Sequence, residues 1–200
     1  VSMSQLRMIN LSQNLIQIDE DLSEFPSLDS KLPSRLTGFV MNGITWVNTL
    51  KSFFEFIFSH VDSKLKLSLS DADENEQQWQ ELFELFGESE YGGFSELIWD
   101  NNPINENLFS LLEKSQNMIR LQVNGCFTSK MENEVNSLCS FVKNSPKLEG
   151  LVVRNGKSEE QHLGKNVVEV IKAAKEAPEL LVLDVGNSRV GEVDEDEENT

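Results

Sequence analysis

The side chains able to do chemistry in this chain are few and far apart. Its 200 residues hold two cysteines, Cys126 and Cys139, and two histidines, His60 and His162. A closed zinc site needs four such ligands brought together, and these four fall in different stretches of the sequence. Two buried thiols is the reading we favour over a disulfide or a metal pair, because small disulfide-stapled domains carry more cysteine. Glu159-Glu160 and the carboxylates over residues 71–76 could be imagined as acid–base pairs. Solvated helix starts account for them more simply, since acids are favoured where a helix begins. His162 reads as an ordinary surface residue in the first turn of a helix, and Gly92-Gly93 as a tight turn before a strand. The chain has no nucleophile elbow, no H-E-x-x-H and no G-x-x-x-x-G-K phosphate loop. The expectation is therefore a non-enzyme, with no catalytic residues, no cofactor and no metal.

Composition narrows the partners. A net charge of −17 and a pI near 4.4 argue against nucleic acid and anionic membrane, which attract clustered cations. They leave a protein partner, one with a basic surface. Hydrophobic content of 38% is enough for a core. No apolar stretch reaches the length of a membrane span, and Val1-Ser2-Met3-Ser4 lacks the basic-then-apolar pattern of a secretory signal. These features point to the cytoplasm. The single N-x-S sequence, Asn10-Leu11-Ser12, falls in an expected strand and is discounted as a glycosylation signal.

The elements that must position any site are set by a recurring phrase: apolar, two free positions, apolar, one free position, apolar. Its seven copies are Leu6/Ile9/Leu11, Leu36/Phe39/Met41, Lys64/Leu67/Leu69, Phe94/Leu97/Trp99, Met118/Leu121/Val123, Leu148/Leu151/Val153 and Leu180/Leu183/Val185. Their starts are spaced by 24 to 32 residues. Such a period, with a short strand at each start, marks a repeat architecture in which one strand and one helix recur. Lys64 is the one break at an inward position, and its neighbour Leu65 suggests a local shift of register.

Between strands the apolar spacing changes from two to about 3.6, as expected of amphipathic helices. The helical sets are Trp46, Leu50, Phe53, Phe54, Ile57 and Val61; then Trp79, Leu82, Phe83 and Phe86; then residues 105–117 with Leu108, Leu111 and Leu112 inward. Met131, Val135, Leu138, Phe141 and Val142 follow, stopped by Pro146, and then Leu163, Val167, Val168, Val170 and Ile171, stopped by Pro178. The interval 17–35, with Pro26 and Pro33, shows no helical stripe and is expected to be irregular. The body is expected to span 1–188, followed by an acidic, disordered tail over 189–200. The first strand begins without a polar capping element, which suggests a piece of a longer protein.

The phrase and its spacing resemble the long-repeat, ribonuclease-inhibitor-like class of leucine-rich repeats. Phe94 to Ile104 fits that L-x-x-L-x-L-x-x-N-x-I form almost throughout, Leu6 to Asn14 fits it as well, and Met118 to Cys126 carries its cysteine variant. Across the seven copies the ninth position reads Asn14, Ile44, Ala72, Asn102, Cys126, Gly156 and Ser188, so it departs at Ile44, Ala72, Gly156 and Ser188. The resemblance implies a right-handed α/β solenoid, a horseshoe with parallel strands on its concave face and helices on its convex face. Irregular repeats of this kind are also similar, by analogy, to CARMIL-like and tropomodulin-like actin regulators, and the acidic segment after the last repeat to RanGAP-like proteins.

In such a body positions 3, 5 and 7 of each phrase face away from the helices, because side chains alternate across a strand. The candidate partner-binding residues are Val40, Asn42, Lys66, Ile98, Asp100, Arg120, Gln122, Asn124, Val152, Arg154 and Asp184. Arginine beside exposed aliphatics is typical of protein-binding surfaces. The functional expectation is a non-catalytic scaffold that binds another protein in a cytoskeletal or signalling assembly. The alternative is a GTPase-activating regulator of a small GTPase. Oligomeric state and partner identity stay open.

Overall fold

Each strand of this protein is too short to be stable alone, and each gains its hydrogen bonds from the copies on either side. The computed structural model describes residues 6–16, 36–46, 50–61 and 64–188. The interval 17–35 and the tail 189–200 lie outside them. In chain order the elements are β1 (Met8–Asn10), β2 (Leu15–Ile16), β3 (Gly38–Val40), β4 (Thr45–Trp46), α1 (Leu50–His60), β5 (Leu65–Ser68) and α2 (Glu76–Glu88). They continue with β6 (Phe94–Ile98), α3 (Glu106–Glu113), β7 (Arg120–Gln122), α4 (Glu132–Asn144), β8 (Gly150–Val152), α5 (Val167–Glu176) and β9 (Val182–Asp184). Among the described residues the result is an α/β fold with an all-parallel sheet of seven strands, in the order β1-β3-β5-β6-β7-β8-β9, and five helices.

The phrase sets the register. Its fourth residues, Ile9, Phe39, Leu67, Leu97, Leu121, Leu151 and Leu183, are direct neighbours across all seven strands. At every junction the sixth residue donates its N–H to the fifth carbonyl of the next unit, from Leu11 to Val40 through Val153 to Asp184, at 2.7–2.9 Å. In the first five junctions the eighth residue adds an N–H bond to the seventh carbonyl of the next unit, at 2.8–3.0 Å. That eighth residue is left-handed: Gln13, Gly43, Asp71, Asn101, Gly125 and Asn187 have φ of 54–67°. A left-handed residue ends the strand with a tight turn, which glycine and asparagine tolerate best.

The fourth and sixth residues of units two to six are buried, together with one face of each helix. Phe54, Phe86 and Trp99 form the centre of an aromatic cluster, with ring centroids 4.9–6.1 Å apart in edge-to-face pairs. Each such large buried side chain contributes about 1.5–3 kcal/mol by removal from water. The helices are capped by their own sequence. Asn75 and Gln78 form a reciprocal capping box on α2, and Asn105 accepts from the N–H groups of Asn107 and Leu108 on α3.

The break at Lys64 is resolved as a bulge. Lys64 is exposed with φ of 60°, while Leu65 is fully buried and takes the inward place. Leu65 lies opposite Phe94 but Lys66 opposite Glu96, so one residue of β6 is skipped. Two expectations need correction. Trp46 belongs not to a helix but to β4, which pairs in parallel with β2 in a separate small sheet, and α1 starts only at Leu50. Val168, expected on the inward stripe, is 44% exposed, because a 3-10 turn at Gly164–Asn166 precedes α5 and sets the phase of the helix. Among the described residues no helix is long and apolar enough to cross a membrane.

Candidate functional site: the open face of the sheet

Alternation along each strand gives the sheet two unlike faces. One is sealed by the helices. The other carries positions 3, 5 and 7, where Lys66, Arg120 and Arg154 are exposed and Val40, Asn42, Ile98, Asp100, Gln122, Asn124 and Asp184 half-buried. Val152 departs from its expected exposure and is buried, at 9%. It sits in register between Gln122 and Asp184, and Arg154 crosses diagonally to Asp184.

The polar residues of this face hold one another. Ser68 Oγ donates to Asn42 Oδ1 at 3.0 Å, and Lys66 forms an ion pair with Glu96. Asp100 is the busiest acceptor: it takes the Asn124 backbone N–H at 2.9 Å, Gln122 Nε2 at 2.6 Å and Asn124 Nδ2 at 3.2 Å. Asn124 Oδ1 in turn accepts the Arg154 backbone N–H at 2.8 Å. Ser12 Oγ accepts the Asn42 N–H at 3.1 Å, so the seventh side chain steadies the next strand's exit in three junctions. Arg154 grips Asp184 through Nε at 2.9 Å and again through Nη2. The guanidinium holds the Asp184 carboxyl below the usual carboxylate range.

Arg120 stands apart. It forms no ion pair among the described residues, and its Nη2 donates only to Gln122 Oε1, at 3.2 Å. Its strand neighbours are Glu96 on one side and Gly150 on the other. A Cβ at Gly150 would lie 3.6 Å from Arg120 Cγ, so glycine there leaves open space beside the arginine. Arg120 thus presents a guanidinium in the middle of the face, with the aliphatic Ile98, the register partner of Gln122, diagonal to it on the neighbouring strand.

The strand exits form a rim, and its logic is one that sequence reasoning saw only in part. Asn102 Nδ2 donates to the Leu69 carbonyl of the preceding unit at 2.9 Å and its Oδ1 accepts the Ala72 N–H at 2.9 Å. Cys126 does half of the same work, donating its thiol to the Trp99 carbonyl at 3.0 Å. Burial pushes the Cys126 thiol far up, so it keeps the proton it donates. In the sixth unit Gly156 has no side chain to offer; Gln161 instead donates to a different carbonyl of the preceding unit, that of the eighth residue Gly125, at 2.8 Å. A Cβ on Gly156 would fall 2.7 Å from both Gln161 Cδ and Gly125 Cα. The loop carrying Gln161 also reaches back along the rim, where Lys157 pairs with Asp71 of the third unit at 2.6 Å.

The groups weighed as chemistry in the sequence are not brought together. Glu159 and Glu160 are exposed in that same loop, not at a helix start. His162 lies in the loop before the 3-10 turn, not in a helix; it is half-buried and its Nδ1 has no hydrogen-bond partner among the described residues. Cys126 is buried and Cys139 half-buried, both free. Among the described residues no group of three or more His, Cys, Asp or Glu could hold a metal ion. Outside the sheet face, an open groove of about 700 Å³ lies where α2 meets the exit of the fourth unit, floored by Trp79 and Phe83 and edged by Glu74, Glu76 and Glu84. Comparison with family models, with curated proteins and with solved structures gives no match.

Proposed function

We propose that this chain is a leucine-rich-repeat solenoid of the long-repeat class, curved with its open sheet face inward, and that this face binds another protein without catalysis. The observation that carries the reading is Arg120: a guanidinium without a carboxylate partner among the described residues, in a chain of net charge −17, seated centrally on an otherwise mutually bonded face. A charge so placed has been left available, and arginine is among the residues that dominate protein interfaces. The neighbouring ion pairs and amide contacts fix the side chains before binding, which reduces the ordering cost of association. On this reading Ile98 and the half-buried Val40 supply apolar contact, Arg120 meets a carboxylate of the partner, and the flanking polar network sets register. A place in a cytoskeletal or signalling assembly is consistent with such a scaffold.

The test is capture from cytosol by the wild-type chain and by Arg120→Glu, each checked for its thermal midpoint. The reading predicts at least ten-fold weaker recovery of the wild type's partners by Arg120→Glu, with a midpoint unchanged within about 1 °C because the residue is exposed. Equal recovery by both proteins would remove the open face from the account.

A further inference from the structure

The groove of about 700 Å³ beside α2 combines aromatic rings with carboxylates that have no cation. Its lining runs from Glu74 to Asn107, between the third and fourth units and inside the continuous described stretch 64–188. Trp79 and Phe83 stack at its floor with ring centroids 5.9 Å apart and planes at 26°, and each is 7% exposed. Pro103 supplies part of the wall, and its carbonyl is held by Trp99 Nε1 at 2.8 Å. At Gly87 α2 comes against α3: a Cβ there would lie 3.1 Å from the Asn107 side chain. Along the rim Glu84 Oε1 accepts from Gln80 Nε2 at 3.2 Å, which steadies both.

Charge selects the occupant. Glu74, Glu76 and Glu84 border the groove, and none of them forms an ion pair among the described residues. One oxygen of Glu74 is committed to the Leu50 N–H, and the other is buried without a partner among the described residues. No lysine, arginine or histidine lies between Lys66 and Lys114, so the helices and loop that build the groove bring no cation of their own. An anion is disfavoured, because the N-termini of α2 and α3 are already capped by Asn75 and Asn105. A neutral apolar ligand would bury carboxylates without partners, and a second copy of the chain, itself at −17, would be repelled. Arginine answers both halves of the groove: its stem and planar head lie on aromatic rings, and its fork of N–H groups bonds carboxylates. We propose that this groove receives an arginine side chain from an exposed segment of another protein, its stem over Trp79 and Phe83 and its guanidinium among Glu74, Glu76 and Glu84. The open face offers a guanidinium and asks for a carboxylate, whereas the groove asks for the reverse, so the two surfaces take different partners.

The full chain, isotope-labelled at tryptophan, is titrated with acetyl-Gly-Ser-Arg-Ser-Gly-amide, and the indole resonance of Trp79 is followed by NMR. The control peptide carries citrulline in place of arginine, which keeps the shape and removes the charge. The arginine peptide is expected to shift Trp79 saturably at millimolar concentration. The citrulline peptide should bind about ten-fold more weakly or worse, the factor that loss of a charge-assisted hydrogen bond implies. Glu76→Gln with Glu84→Gln, both exposed, should weaken the arginine peptide by a similar factor while the thermal midpoint stays in place. Arg120→Glu should leave binding unchanged. Equal binding of both peptides would mean an apolar groove alone and overturn the proposal, as would unchanged binding by the double variant or no shift of Trp79 at millimolar peptide. A dimer of the free chain that Glu84→Arg dissolves in sedimentation would put a second copy in the groove, and would also contradict it.

Discussion

Glu74 is the residue whose chemistry departs furthest from its surface appearance. Its Oε1 caps α1 by accepting the Leu50 N–H at 3.0 Å, while its Oε2 is buried without a partner among the described residues. Burial raises its pKa to about 7, against the lowering effect of that hydrogen bond and with a smaller rise from Asp73. The folded state therefore holds a proton that the unfolded chain, with a carboxyl near 4.3, releases. Stability from this group is full below about pH 4.3 and is lost as pH climbs to about 7. Glu74→Gln keeps the cap and removes the titration. Its thermal midpoint should exceed that of the wild type at pH 8 and match it at pH 5; an equal or lower midpoint at pH 8 would contradict the assignment. Cys126 and Cys139 differ by the same physics. Burial raises both thiols, but Cys126 is the more deeply enclosed and donates to Trp99. In the native chain iodoacetamide should modify Cys139 well before Cys126, as read by peptide mass spectrometry, and equal rates would mean that the rim opens freely.

At the scale of the elements, the turn after each strand carries the stacking geometry. The eighth position holds a turn former in the six units after the first, Gly43, Asp71, Asn101, Gly125, Asn155 and Asn187, with Gln13 in the first. Periodicity of apolar residues does not display it, because these residues are polar or lack side chains. Asn155 breaks the run: its unit exits into the longer loop that brings Gln161 onto Gly125. The small β2–β4 pair was illegible for a different reason. Trp46 stands four residues before Leu50, at helical spacing, and spacing alone does not separate a strand residue just ahead of a helix from its first turn. Lys64 shows the reverse case, where a broken pattern correctly announced a bulge. A left-handed non-glycine residue costs about 1–2 kcal/mol, part of which glycine returns through unfolded-state entropy. Lys64→Gly should therefore stabilise the chain by about 0.5–1 kcal/mol in denaturant unfolding, the exposed lysine giving up no packing. A loss of stability would show that the Lys64 side chain holds the bulge.

At the scale of the molecule, seven short strands become one sheet because the same bonds recur at every junction, and only one side of that sheet is sealed by helices. The sealed side was readable from the phrase, whose fourth and sixth positions are buried from the second unit to the sixth. The open side was readable as a list of positions but not as a network. Nothing in the spacing revealed that Asp100 would gather Gln122 and Asn124, that Arg154 would be paired with Asp184 and Arg120 left without an ion pair among the described residues, or that Val152 would be buried. Those outcomes depend on which long side chains reach across neighbouring strands. The most direct measurement places a photo-cross-linking amino acid at Gln122 on the open face, and in a second protein at Gln80 on α2, and exposes both to cytosol under light. The account predicts partner cross-links from position 122, suppressed by Arg120→Glu, and none of the same species from position 80. Cross-links to the same partner from position 80 alone would place binding on the helical side and contradict it.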